Sequence, residues 1–481
     1  MRNIIWLFIC IAFACKQREV LPPSPVFPVP TQEQLDWQAK ELFAFVHFTV
    51  NTFTDKEWGY GNENPNVFYP LEFDPEQWAS ALKDAGFKGA ILTAKHHDGF
   101  CLWPSQYTNH SVKNISWRNG KGDVVGEFKR ACDKYGLEFG IYLSPWDRNR
   151  ADYGSPSYVE YYQSQLKELF ESYGPVFEIW FDGANGGDGW YGGANEKRSI
   201  NQRSYYNWPS TYKILRTISP KTIIRGDART IADARWCGNE EGYIGEENWN
   251  LITPDSLPDD AGERGKFLKA GDESGIQWMP AEVDVSIRPG WFYHESEDSL
   301  VKTPDQLFDI YLSSVGRGSP LLLNVAPNRQ GLIPEQDVRS LQGWKKKIDE
   351  TFANNLVTKA KLTVDSYRGN AEKYGAANLI DEDEDTYWAT DDNLTHASIQ
   401  LDFKAPEVVQ YIILQEYIKL GQRVKSFNIQ ILKEDNWVEI VSATTIGYKR
   451  IVRIEPTRIK SLKINITESK ACPAISNISL Y

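Results

Sequence analysis

Between residue 33 and roughly residue 350, short apolar runs alternate with amphipathic stretches, and this alternation limits the fold more than any other feature of the chain. The runs at 43–48, 88–94, 138–143, 176–181, 222–226 and 320–325 have strand length. The stretches at 75–85, 123–135 and 157–173 carry apolar residues at helical spacing. Strand and helix in turn over so long a segment point to a parallel α/β architecture. A doubly wound nucleotide-binding sheet would place a glycine-rich loop after its first strand. Here the first run ends His47-Phe48-Thr49 and no such loop follows. The segment therefore predicts a catalytic (β/α)8-like TIM barrel over residues 33–352. From Val357 onward the texture changes to short alternating segments rich in Ile, Val and Thr, at 397–403, 409–415, 426–432, 437–442, 450–454 and 461–467. They predict an all-β sandwich of jelly-roll type over residues 357–481.

The first residues read differently. Arg2 precedes an apolar run of eleven residues from Ile4 to Ala14, too short to span a bilayer but suited to a signal peptide. The run ends Ala12-Phe13-Ala14-Cys15, with Cys15 where a bacterial lipoprotein carries its lipid. Residues 1–20 are expected to be a lipoprotein-type signal peptide and residues 21–32 a proline-rich tether. The protein is expected to be exported, to the periplasm or the cell surface of a bacterium. Cys101, Cys132, Cys237 and Cys472 show no CxxC spacing and read as buried thiols, with room for a disulfide or two outside the cytoplasm. A net charge of −12 argues against a nucleic-acid partner. The 17 Trp and 24 Tyr against only 2 Met supply flat faces with a polar handle, which suit sugar rings.

Polar residues gather at the C-terminal ends of the predicted barrel strands, where barrel enzymes keep their chemistry. His47 is followed by Glu57-Trp58, and 88–94 by Lys95-His96-His97-Asp98-Gly99. Ser144-Pro145-Trp146-Asp147 and Asp182-Gly183 close the next two. Strand alternation puts Glu178, Trp180 and Asp182 on the barrel-facing side and Phe177, Ile179 and Phe181 toward the helices. Asp182 at the mouth suits a nucleophile or base. Glycoside hydrolysis usually takes two carboxylates. A second supply is Arg235-Trp236-Cys237-Gly238-Asn239-Glu240-Glu241, and a third is Ala281-Glu282-Val283-Asp284. Glu246 and Glu247 read as a solvated acidic loop. A general acid needs a raised pKa, which a Trp236 wall and the Asp182 charge would provide. His96 and His97 are adjacent, so strand geometry would point them to opposite faces and away from one shared metal ion. Neutral imidazoles hydrogen-bonding sugar hydroxyls fit better, and no GxSxG or HExxH is present.

Together these residues resemble glycoside hydrolase family 29, the retaining α-L-fucosidases. The resemblance rests on Phe45-Val46-His47-Phe48, Glu57-Trp58-Gly59, Lys95-His96-His97-Asp98-Gly99-Phe100, Trp180-Phe181-Asp182-Gly183, Trp278-Met279-Pro280-Ala281-Glu282 and Leu322-Leu323-Asn324-Val325-Ala326-Pro327. It implies Asp182 as nucleophile, with His47, Glu57, Trp58, His96, His97, Tyr142 and Trp180 around the fucose ring. It implies Arg225 near the nucleophile and Trp291 or Phe292 on the C5 methyl group. The Gly238-Asn239-Glu240 motif resembles the branch acting on α-1,3/1,4-linked fucose in Lewis-type glycans, which implies Glu240 as acid/base, with Glu241 and Glu282 as alternatives. No catalytic cofactor or active-site metal is implied. The glycine-rich stretch 183–206 is expected to shape the leaving-group side. Ala377-Asn378-Leu379-Ile380-Asp381 and Thr386-Tyr387-Trp388 make the tail similar to discoidin-like, family 32-type carbohydrate-binding modules. That likeness implies a structural Ca²⁺ near Asp381 and Asp383, and the module is read as a brace for the barrel as much as a sugar binder. Three other readings stand beside this one: a broader fucosidase that also cleaves α-1,2 linkages, a non-catalytic fucose-binding lectin, and an exo-glycosidase for a sugar such as galactose. The last would put a hydroxymethyl group on an apolar patch.

Overall fold

The first barrel strand shows how the interior is built. In β1 (Leu42–Val46) Phe43 and Phe45 turn inward, while Ala44 and Val46 pack under the surrounding helices. The computed structural model describes residues 19–226 and 232–481. The leader motif with Cys15 lies outside the described residues. After β1 come β2 (Gly89–Lys95), β3 (Glu138–Leu143), β4 (Glu178–Trp180), β5 (Ile223–Gly226), β6 (Ala234–Trp236), β7 (Ala281–Ser286) and β8 (Leu321–Asn324). All pair in parallel and close, β8 on β1, into a barrel. Among the described residues no helix is long and apolar enough to cross a membrane.

Helices cover the strands where local sequence starts and stops them. α1 (Gln32–Gln38) precedes the barrel and puts Trp37 under its base. α2 (Pro75–Asp84) begins on Asp74, whose carboxylate accepts from the N–H groups of Glu76 and Gln77, with Pro75 in the first turn. α3 (Val124–Tyr135) stops at Gly136, which takes the left-handed conformation at φ 68°. α4 (Pro156–Tyr173), α5 (Trp208–Ile218), α6 (Ala261–Ala270), α7 (Pro304–Ser313) and α8 (Glu335–Thr351) follow. Between β5 and β6 the chain has only residues 227–233.

Two barrel strands were not among the predicted runs. β7 alternates Ala281, Val283 and Val285 toward the helices with Glu282, Asp284 and Ser286 inward, so half of it is polar. β6 is three residues long, and its buried Arg235 donates to the carbonyls of Leu268 and Trp249. Phe177 corrects the strand-face reading. It precedes β4 and packs on Phe43 at a centroid distance of 5.1 Å in the barrel base, whereas Ile179 and Phe181 do face the helices.

The C-terminal part is antiparallel and all-β: β9 (Ala360–Val364), β10 (Trp388–Ala389), β11 (Ala397–Glu416), β12 (Val424–Lys433), β13 (Asn436–Thr444), β14 (Arg450–Ser469) and β15 (Ala474–Leu480). The order is β10-β15-β11-β14-β12-β13, with β9 on β11. The runs expected as separate strands at 397–403 and 409–415 are joined in β11, and those at 450–454 and 461–467 in β14. Register shifts at Asp402/Glu407 and Val409/Tyr411 bend the joined pair without ending it. This part is docked on the barrel. Tyr411, Ile413 and Ile451 belong to the barrel's apolar core, and Gln422 accepts from the Asn250 N–H (2.9 Å) and donates to the Asn248 carbonyl (2.9 Å). The stretch expected as a tether is held against the same part: Val26 donates to the Leu420 carbonyl at 2.8 Å, and Arg368 and Arg423 donate to the carbonyls of Leu21 and Ser24, both at 2.6 Å.

The loop at 381–385, expected near a calcium ion, spends its carboxylates internally. Asp381 accepts from Asp383 N–H (3.1 Å) and the Thr386 hydroxyl (2.7 Å), Asp383 accepts from Asp385 N–H (2.9 Å), and Asp385 pairs with Lys419. Among the described residues no group of three or more His, Cys, Asp or Glu side chains is arranged to hold a metal ion. Cys101, Cys132, Cys237 and Cys472 are buried free thiols.

Candidate active site

The C-terminal mouth of the barrel holds a pocket of about 170 Å³. Each strand delivers its lining by the alternation that fills the barrel below. β1 ends in Phe45 and His47, β2 runs into His96 and His97, β3 brings Tyr142, β4 brings Trp180 and Asp182, and β7 brings Asp284. Loops add Glu57, Trp58, Ala184, Glu240 and Trp291. Arg225 does not line this pocket but lines the cavity adjoining it. It is buried, its guanidinium stacks 3.6 Å from the Trp180 ring centroid, and its Nε lies 3.5 Å from Glu282. Of the two aromatics proposed for the C5 methyl group, Trp291 lines the pocket, and Phe292 is buried behind it, edge-on to His47 and His96.

His96 and His97 both line the pocket, although they are sequence neighbours. A register irregularity between Thr93 and Lys95 ends β2, so strand alternation no longer applies, and the two rings lie 4.1 Å apart. The flanking residues of that motif are structural. Lys95 is buried against Asp147 (3.3 Å) and Gln165 (3.0 Å), and Asp98 accepts from Phe100 N–H and the Thr49 hydroxyl.

Burial keeps the three histidines neutral at physiological pH, lowering His47 to about 3, His97 to about 4 and His96 well below its usual value. Their partners then select the tautomers. Asn324 donates its amide hydrogens to Ser286 Oγ and the Trp291 carbonyl, so its Oδ1 accepts from His47 Nδ1 at 2.8 Å. Ser144 donates to the Trp146 carbonyl and so accepts from His97 Nδ1 at 2.7 Å. His47 and His97 thus keep an acceptor Nε2. Asn51 faces His96 Nδ1 with its amide nitrogen at 3.5 Å, leaving His96 Nε2–H as a donor.

The carboxylates are differentiated in the same way. Asp182 accepts from the Tyr142 hydroxyl (2.8 Å) and Ala184 N–H (2.6 Å), with His97 Nε2 3.8 Å away. Glu240, at the solvent-open rim, accepts from the Trp291 indole N–H at 3.1 Å. Its pKa is raised by partial burial first and by the Asp182 charge, against the opposing Trp291 bond and Arg225. Glu241 points to solvent. Glu282 is fully buried beneath Trp180, whose indole donates to it at 3.0 Å. It lies against Glu178, and burial with their mutual repulsion pushes Glu178 far enough up that the pair holds a proton. Asp284 is lifted to about 8, chiefly by burial, and is a neutral acid at pH 7. Of the two alternatives to Glu240, Glu282 is sealed off from a leaving group and Glu241 is turned away from the pocket.

A second cavity of about 210 Å³ continues from the first, sharing Trp180, Asp182, Ala184 and Glu240 and adding Gly183, Arg225, Trp236, Arg264 and Leu268. Arg264 and Leu268 come from α6, a position no sequence signal marked. Sequence reasoning also missed Asn324 as the partner of His47 and His294 beside Glu57, both legible only once the barrel is closed.

An α-L-fucosidase family model matches residues 25–347, and an F5/8 type C domain model matches residues 361–479. The chain is 41% identical over 464 residues to Alpha-L-fucosidase 1 of Arabidopsis thaliana, covering 95% of this chain and 88% of that protein. Among solved structures, a glycoside hydrolase 29 family member from an unknown rumen bacterium superposes with a TM-score of 0.86 at 42% identity, covering 96% of this chain and 78% of that one. A Ruminococcus gnavus fucosidase of the same family, solved in complex with fucose, gives a TM-score of 0.86 at 32% identity and 96% coverage of both chains. With its closed barrel, its paired pocket carboxylates and these matches, the chain belongs to the α-L-fucosidase family 29 of glycoside hydrolases, with an F5/8 type C domain at its C-terminal end.

Proposed function

We propose that the protein is an exo-acting, retaining α-L-fucosidase that removes α-1,3/1,4-linked fucose from Lewis-type oligosaccharides and glycoconjugates. The observation that carries this reading is that Asp182 and Glu240 line both of two adjoining cavities, one walled by Phe45, the three histidines and Trp291, the other by Trp236, Arg264 and Leu268. Fucose is placed in the histidine-lined cavity as a terminal unit, and the rest of the glycan extends into the adjoining one. Neutral His47, His96 and His97 offer acceptors and a donor to the ring hydroxyls. The Trp291 face beside Phe45 offers an apolar patch to the C5 methyl group.

In the first step Asp182 attacks the anomeric carbon while Glu240, whose pKa partial burial raises, gives its proton to the departing glycosidic oxygen. In the second, Glu240 takes a proton from water, the water oxygen displaces Asp182, and α-fucose is released. Tyr142 holds the Asp182 carboxylate in line for both steps. The Gly238-Asn239-Glu240 sequence supports the linkage assignment. The leader supports export with a lipid at Cys15, which mass spectrometry of the mature N-terminus tests.

The test offers the enzyme a 3-linked fucosyl Lewis-type trisaccharide and a 2-linked fucosyllactose, with released fucose followed by proton NMR from the first minutes. Initial release of α-fucose from the first sugar alone is expected. Faster cleavage of the 2-linked sugar would overturn the linkage assignment, initial β-fucose the retaining mechanism, and no release from either would favour the lectin reading.

A further inference from the structure

Trp291 reaches Glu240 from a loop after β7 that no regular element supports, so its position depends on what grips residues 290–294. At its start Gly290 is held by Ser286 Oγ, which donates to its carbonyl (2.7 Å), and by Glu297, which accepts from its N–H (3.0 Å), and two further grips hold the stretch at Trp291 itself. Asn324 donates to the Trp291 carbonyl at 2.8 Å, and the N–H groups of Trp291 and Phe292 donate to the Glu57 carboxylate at 2.9 and 3.1 Å. Glu57 is itself 39% exposed and has room to swing. What stops it is His294, whose Nε2 lies 2.7 Å from Glu57 Oε1 while its Nδ1 lies 2.9 Å from Asp55 Oδ1.

An imidazole satisfies two carboxylates only when both nitrogens carry hydrogen. The groups facing His294 keep it so: Asp55, Glu57 and Glu297 are acidic, and Arg329 approaches only the far partner, Asp55, at 3.5 Å. The packing is tight as well. A Cβ at Gly290 would lie 2.6 Å from Glu57 Oε1 and 3.0 Å from the His294 ring. Asp55, at the head of the chain of contacts, holds a left-handed backbone at φ 59°, an uncommon conformation for a non-glycine residue.

We propose that His294 is a positioning residue for the acid/base: bridging Asp55 and Glu57 as an imidazolium, it locks the loop that carries Trp291, and the Trp291 indole N–H in turn holds one oxygen of Glu240 so that the other faces the glycosidic bond. This rests on the reading of Glu240 as the acid/base. Ion pairs this close to solvent add little to folding stability, but a displacement of about 1 Å in a reacting group costs on the order of 100-fold in rate. The triad therefore acts on rate far more than on folding.

The test uses the full chain and the variants H294Q, D55N, W291F and E240Q, with two substrates. One is the 3-linked fucosyl trisaccharide, whose leaving group needs a proton. The other is 2,4-dinitrophenyl α-L-fucoside, whose leaving group does not. In H294Q, kcat/KM on the trisaccharide is expected to fall about 10–100-fold. On the dinitrophenyl substrate kcat/KM is expected to stay within about 3-fold, with kcat and KM falling together as the fucosyl-enzyme accumulates for want of a well-placed base. D55N, which keeps the imidazole, gives the same split at smaller size, and it decides the matter if H294Q fails to fold. In the W291F background, H294Q adds less than about 2-fold to the trisaccharide loss, because the contact through which it acts is already gone.

Equal losses on both substrates with kcat unchanged and KM raised would show that His294 merely shapes the pocket, and multiplicative losses in the double variant would show that it acts by another route. Either overturns the proposal. E240Q separates this from failure of the underlying reading. If E240Q does not discriminate between the substrates, the acid/base assignment is wrong. If E240Q discriminates and neither H294Q nor D55N does, only the positioning role is wrong.

Discussion

Replacing Trp291 by Phe keeps an aromatic ring against His47 but loses the second ring of the indole and with it the N–H from which Glu240 accepts at 3.1 Å. A hydrogen bond to a charged carboxylate is worth about 1.5–3 kcal/mol when shielded. Glu240 stands at the exposed rim, and screening by water reduces this to about 1 kcal/mol. Since one pKa unit corresponds to about 1.36 kcal/mol, the change amounts to about 0.7 unit. Its sign follows from the charge. The N–H stabilises the ionised carboxylate and holds down a pKa that burial and Asp182 raise, so without it Glu240 titrates higher still. In the proposed mechanism the first chemical step needs Glu240 protonated, so kcat/KM falls as pH rises through this pKa. In W291F the alkaline limb is expected about 0.7 unit higher than in the parent, with a lower plateau because the acid is no longer oriented. The assay is kcat/KM for the fucosyl trisaccharide from about pH 5 to pH 9 at constant ionic strength, which reports the free enzyme. An alkaline limb that stays in place or moves down would refute the reasoning.

Three further outcomes are expected. Arg264→Ala should cost about tenfold in kcat/KM on the trisaccharide and leave fucosyl fluoride, which has no sugar aglycone, unaffected; equal effects on both would remove Arg264 from the leaving-group side. Ile451→Ala, at a buried contact of the β domain on Gly316, should cost about 2–5 kcal/mol and lower the temperature at which fucosidase activity is lost, because the two parts share one apolar core; calorimetry showing only the β domain destabilised would contradict that. Chelation by EDTA should leave the melting temperature unchanged, because Asp381 and Asp383 are satisfied within their own loop; a fall restored by added Ca²⁺ would show a cage built from other oxygens.

Much of the site was legible because its residues end strands whose periodicity is local. His47 closes β1, and the Trp180-Phe181-Asp182 alternation tells inside from outside without reference to any other part of the chain. β7 was harder to see because its inward face is Glu282, Asp284 and Ser286, so its pattern lacks the continuous apolar run expected of a buried parallel strand. The joined strands β11 and β14 were read as pairs because a bulge looks like a turn when only one strand is in view.

The amino-acid sequence by itself determined the barrel and the all-β part, the end of the barrel that carries the chemistry, Asp182 as the central carboxylate, and the family. These depend on the order of residues along a few turns or strands, where backbone geometry dictates which side chains share a face. Only the tertiary structure decided which carboxylates reach the pocket. Burial beneath Trp180 withdraws Glu282, a strand irregularity brings His96 and His97 into one pocket, and barrel closure sets Trp291 on Glu57 across 234 residues of chain. A side chain's pKa, tautomer and reach depend on its neighbours in space, and those neighbours are chosen by how β8 meets β1, which no local pattern encodes.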